Sequence, residues 1–108
     1  MKLTTAIEGF FLEKRLRFSR RTIEGYHYHL DYFIGFMGNV EIEAIQSDDV
    51  RRFLEWMHVK KGLSKRTVHD AWVVLSSLWT WAENELGTAH IIRRKVGRPE
   101  YTQRAIET

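Results

Sequence analysis

Cysteine is absent from all 108 residues, so neither a disulfide nor a thiolate zinc site can form. That absence fits a reducing, cytoplasmic setting. Proline occurs once, at Pro99, and glycine seven times. The long stretches between them favour helices over a sheet with many turns. No run approaches the ~20 apolar residues that cross a bilayer. The opening Met1-Lys2-Leu3-Thr4-Thr5 lacks the apolar core of a secretory signal. No membrane contact is expected. Paired carboxylates, a Ser-His-Asp set and a Gly-rich phosphate loop are also missing. His27 and His29 lie two apart on a helix and face different ways, while His58, His69 and His90 stand alone. The reading is therefore no catalysis, no metal and no cofactor.

What is present is bulk for a core. Hydrophobic residues make up 44% of the chain, with four Trp, four Tyr and six Phe, which argues for a packed globule. Thr4 or Thr5 caps a first helix to about Phe18, with Ile7, Phe10, Phe11 and Leu16 as a ragged stripe. Ser19 caps a second, reaching about Met37 before Gly38-Asn39. There Ile23, Tyr26, Leu30, Phe33 and Met37 share one face. Val40 to Gln46 reads as a connector. Ser47 caps a third helix with Asp48 and Asp49 at its positive end, and Gly62 stops it. Ser64 caps a fourth, running to about Leu86 before Gly87, with Val68, Ala71, Leu75, Leu78 and Ala82 inward. The predicted fold is all-α: a four-helix orthogonal bundle of two helical hairpins over residues 1–87. Residues 88–108 form an extended basic linker, and Ala105-Ile106-Glu107-Thr108 reads as the first turn of something further on.

One tetrapeptide pattern occurs twice, 45 positions apart: Ser19-Arg20-Arg21-Thr22 and Ser64-Lys65-Arg66-Thr67. Each copy opens a helix with two cations and two hydroxyls, chemistry that suits phosphate. With up-down helices, both openings fall at one end. That end collects Lys14, Arg15, Arg17, Arg20, Arg21, Lys60, Lys61, Lys65 and Arg66 against Glu13. The far end holds Glu41, Glu43, Asp48, Asp49, Glu83 and Glu85 against Arg51 and Arg52. A formal net charge of +3 hides this dipole. The bland alternative is ordinary capping beside solvated charges. The candidate DNA-binding residues are Ser19, Arg20, Arg21, Thr22, Lys60, Lys61, Ser64, Lys65, Arg66 and Thr67. His69 is added as a candidate for base readout, and Arg93, Arg94, Lys95 and Arg98 from the tail. Trp56, Trp72, Trp79 and Trp81 are packing residues by default, with Trp56 and Trp81 read as outside the core stripe and open to a partner.

The ordered set resembles a known family. Its pieces are Ser19-x-x-Thr22-x-x-x-Tyr26-x-x-x-Leu30-x-x-Phe33-x-x-Phe36-x-Gly38, then Ile45-Gln46-Ser47-Asp48-Asp49-Val50 with Phe53-Leu54. Gly62-Leu63-Ser64-x-x-Thr67-Val68, Leu75-Ser76-Ser77-Leu78 and Trp81-Ala82 follow. Over about residues 3 to 87 these resemble the N-terminal, SAM-like core-binding domain of the tyrosine recombinase (phage integrase) family. The resemblance implies a DNA-binding domain that grips a recombination site as half of a C-shaped clamp. A separate catalytic domain would be joined through the linker. That other domain carries the nucleophilic Tyr, and Tyr26, Tyr28, Tyr32 and Tyr101 lack its surroundings. The expected partners are double-stranded DNA and other recombinase protomers, with the isolated fragment a monomer. Members commonly carry Asn-Pro soon after the fourth helix, where this chain reads Gly87-Thr88-Ala89-His90-Ile91-Ile92. Two rivals are a helical protein-interaction module and a standalone DNA-binding regulator.

Overall fold

The computed structural model describes residues 1–100. It contains four helices, α1 (Leu3–Lys14), α2 (Arg20–Met37), α3 (Ser47–Val59) and α4 (Lys65–Leu86), with a short 3-10 turn at Ile42–Ala44. The only strand-like pairing among the described residues is an isolated bridge between Lys2 and Glu41. The all-α reading of the sequence therefore holds. The expected first turn at Ala105–Thr108 lies outside the described residues.

The two Ser-basic-Arg-Thr openings form the same local structure. Ser19 and Ser64 are N-caps with backbone angles of −65°, 161° and −67°, 160°. Each serine Oγ accepts the N–H of the threonine three residues on, at 3.2 Å. A short side chain in extended backbone can reach that N–H, which has no carbonyl partner within the helix. At the other end, Gly38 and Gly87 leave the helix at φ +79° and +69°, a region closed to most L-residues.

Several boundaries differ from those read in the sequence. α1 ends at Lys14, because the Lys14 carbonyl accepts from the N–H groups of Arg17 and Phe18 in a tight turn. Leu16 therefore leaves the helical stripe and is 91% exposed. The cap of α1 is Lys2, not Thr4 or Thr5, since the Leu3 N–H is taken by the Val40 carbonyl. Gln46, not Ser47, caps α3, in a reciprocal box with Asp49. Ser47 becomes the first helical residue, and its hydroxyl donates to the Ile91 carbonyl at 2.6 Å.

Packing follows the apolar stripes. Leu30 and Phe33 of α2 and Ala71, Leu75, Leu78 and Trp79 of α4 are fully buried. The Phe33 ring meets Phe53 edge-on at 5.0 Å and Trp79 at 6.1 Å. Phe10 of α1 lies between Tyr26 and Trp81. Trp81 is 8% exposed and belongs to the core, contrary to its reading as a residue open to a partner. Trp56 is half-buried against Phe53, Phe36 and Tyr32.

The glycines of α1 and α2 separate packing from propensity. A Cβ on Gly9 would lie 2.8 Å from the Trp81 ring, whereas nothing lies within 4 Å of one on Gly35. We predict that Gly35→Ala stabilises the fold by about 0.5–1 kcal/mol, the ordinary helical gain. Gly9→Ala should instead destabilise it by about 1–2 kcal/mol net, because overpacking against a buried ring outweighs that gain. Urea unfolding of both variants checks the opposite signs.

Candidate nucleic-acid interface

The register of α2 against α4 decides where the two cap motifs stand. Thr22, Gly25, Tyr26 and His29 of α2 share a groove of about 240 Å³ with Asp70, Val73 and Val74 of α4. Further along, Phe33 meets Trp79. Rising numbers pair with rising numbers, so the helices run parallel and both N-termini emerge at one end. The α1–α2 and α3–α4 turns lead into those N-termini and so lie at the same end.

That end carries little internal neutralisation. Neither α2 nor α4 has an acidic residue in its first turn, whereas α3 has Asp48 and Asp49 in its own. The positive dipole ends of α2 and α4 therefore face outward with no carboxylate against them in the first turn. Arg15, Arg17, Arg20, Arg21, Lys60, Lys61, Lys65 and Arg66 are all exposed. Arg20 reaches Glu24 at 3.5 Å in a solvated pair of small worth. Lys14 is the exception among the basic residues, half-buried over the Phe10 ring and beside Glu13. Lys61 lies over Trp56 at 5.7 Å. The serine hydroxyls are engaged in capping. Thr22 Oγ1 accepts from Ser19 Oγ at 3.0 Å and so retains its own proton to donate outward.

The opposite end gathers acid. The amino group of Met1 donates to Glu41 at 2.6 Å and to Glu43 at 2.8 Å. These hydrogen bonds hold both carboxyls below their ordinary range and raise the amine. Glu85 and Leu86 line a groove with Met1 there.

The tail residues do not join the helix tips as one cluster. Past α4 the chain forms no regular element, yet residues 88–96 are anchored rather than a free linker. His90, Ile92 and Val96 are buried. The Arg51 guanidinium donates to the Lys95 carbonyl at 2.6 Å, and Trp72 Nε1 donates to the Val96 carbonyl at 3.0 Å. Arg98 lies 5.0 Å from the centre of the Trp72 ring. Arg93 is held by both oxygens of Glu83, at 3.0 and 3.1 Å, well along α4 from its tip. Arg94 and Lys95 are exposed on the same segment. Contacts with α4 step backwards as the segment advances. His90 touches Ser76 and Thr80, Val96 touches Trp72, and Pro99 and Glu100 share a groove with Lys65 and Val68. The chain thus returns along α4 to the basic end.

His69 is half-buried, with Nδ1 3.6 Å from Asp70. His29, which the sequence weighs only as a metal ligand, is 7% exposed and has no partner for Nδ1. The signal was its place one residue before Leu30, at the edge of the buried stripe. No helix among the described residues is long and apolar enough to cross a membrane, and no group of three potential metal ligands occurs among them.

Most of the chain matches a known domain. Residues 8–88, about three quarters of the chain, match the profile described as phage integrase, N-terminal SAM-like domain. This chain belongs to that family. The phage integrase match stops just past α4, before the anchored segment. No curated protein and no solved structure gives a significant match.

Burial of His29 sets a pH dependence for this integrase domain. Desolvation lowers its pKa below the ordinary 6.5, and the charge of Asp70 opposes that only in part. Above 6.5 the imidazole is neutral in folded and unfolded chains alike, and its contribution is fully present. As pH falls through 6.5 toward the lowered folded value, the unfolded chain binds more protons and stability drops. We predict that His29→Leu flattens this part of the stability–pH curve. Urea midpoints for both proteins across the range check it, and equal slopes would refute it.

Proposed function

We propose that this domain holds duplex DNA as half of a clamp in a site-specific recombinase. The phosphate track would lie across the first turns of α2 and α4. One observation carries the reading: two capped helix N-termini, without acid in their first turns, open at the same end among exposed cations. Backbone N–H groups, dipoles and side-chain cations would then act on one polyanion together. Arg21, Lys65 and Lys60 would hold phosphates, and Thr22 would add a hydroxyl contact. Arg93 is left to Glu83. Phosphate contacts would set register, and exposed positions on α2 and α4 would supply any base readout.

Membership in the integrase family supports this role. So does the return of the chain to the basic end, which would start a following catalytic domain on the DNA side. The catalytic half, the other recombinase protomers and the recombination site belong to the same proposal. The protein-interaction rival keeps only the half-buried Trp56, since Trp79 and Trp81 are buried and Trp72 is occupied by Val96 and Arg98.

Fluorescence anisotropy with a short duplex at several salt concentrations tests the proposal. Binding is expected to be weak and to fall steeply with salt. Arg21→Ala or Lys65→Ala should each lower the log–log salt slope by about one unit. Glu41→Ala, at the acidic end, should leave affinity nearly unchanged. A salt-insensitive wild type, or a Glu41→Ala loss as large as that of Arg21→Ala, would overturn the reading.

A further inference from the structure

The segment that returns along α4 is built around one histidine. His90 Nδ1 lies 3.2 Å from the Ile92 nitrogen and 3.0 Å from the Arg93 nitrogen. Both backbone N–H groups donate, so Nδ1 is the unprotonated ring nitrogen. Nε2 then carries the proton, 3.2 Å from the Ser76 carbonyl and 3.1 Å from Thr80 Oγ1. A carbonyl only accepts, so the Nε2–H donates towards it. One neutral tautomer satisfies every contact.

A second proton would have to sit on Nδ1. It would displace two donors and add charge beside Arg93. The groups facing the ring are the Ser76 carbonyl, the Thr80 hydroxyl and Glu83 from α4, and Arg93 from the segment itself. Glu83 has the helpful sign, but its carboxylate is bound to Arg93. Burial first, then Arg93, holds the His90 pKa below the ordinary 6.5, against the Ser76 hydrogen bond and Glu83.

The turn that this ring organises stores strain. Lys95 and Val96 both donate to the Ile92 carbonyl, and Arg94, just before them, sits at φ +67°. No other non-glycine residue among those described has a positive φ. Such a backbone persists only where surrounding contacts hold it. Here those contacts are His90, Ile92, Val96 and the bond to Trp72.

We propose that residues 88–98 form a proton-gated latch. With His90 neutral, the segment is docked on α3 and α4 and the chain leaves at the basic end. With His90 protonated, the segment lifts and the chain beyond α4 is released from that end. The inference stands on these contacts alone and holds whether or not the domain binds DNA.

Trp72 provides the readout, because its indole N–H is bonded to Val96 and its ring lies under Arg98. Proton–nitrogen NMR spectra of the 108-residue chain are recorded from about pH 7.5 to about pH 5, spanning the range where a histidine titrates. The Trp72 indole signal should titrate towards a free-indole position with a midpoint below 6.5. Amides of Ile92 and Val96 should lose exchange protection over the same range, while the core Trp79 indole stays put. In His90→Asn the carboxamide oxygen replaces Nδ1 as an acceptor that cannot be protonated, so the latch should stay docked at both pH extremes. Arg93→Gln removes the adjacent cation and frees Glu83, and should raise the wild-type midpoint. The proposal fails if Trp72 does not titrate, if Trp79 moves with it, if His90→Asn titrates like the wild type, or if Arg93→Gln leaves the midpoint unmoved.

Discussion

The contact between α2 and α4 governs what this molecule can present. Leu30 and Phe33 on one side and Leu75, Leu78 and Trp79 on the other are fully buried. Burying large apolar side chains of this kind contributes about 1.5–3 kcal/mol each. That seam fixes register, and register fixes polarity. Because the two helices run in the same direction, their capped starts stand at one end. An antiparallel seam with the same residues would place one cap at each end, and the basic clusters would never meet.

Electrostatics then follows from topology more than from composition. A net charge of +3 is unremarkable for a chain of this size. Its distribution is not uniform. Glu41 and Glu43 are bound at the far end by the amino group of Met1, and Glu83 is held by Arg93 partway along α4. The first turns of α2 and α4 carry no acid of their own. Helix dipoles and exposed cations at those tips therefore carry the same sign. The return of residues 88–100 along α4 adds a mechanical element. It turns what composition suggests is a loose linker into a built part of the domain, with a buried imidazole at its centre.

Much of the fold was legible because capping and periodicity are local. Ser19 and Ser64 announce helix starts through a side chain that reaches only three residues ahead. The spacing of Leu30 with Phe33, and of Leu75 with Leu78, marks buried faces without reference to a partner. One departure is local: Leu16 fits the apolar stripe of α1, yet the Lys14 carbonyl is claimed by the N–H groups of Arg17 and Phe18. The others come where a distant group intervenes. Ser47 looked like a cap, but its hydroxyl is used by Ile91, 44 residues away. Trp81 looked surplus until Gly9 let α1 approach its ring.

By itself, then, the sequence determined four helices, their two matching caps, the buried faces and the family to which residues 8–88 belong. These depend on interactions a few residues in range, so pattern suffices. Only the tertiary structure decided that His29 is buried without an Nδ1 partner, that Arg93 is bound by Glu83 and that the tail doubles back onto Trp72. Each is a meeting of groups whose separation along the chain says nothing about their distance in space. Desolvation and charge pairing act through that distance alone.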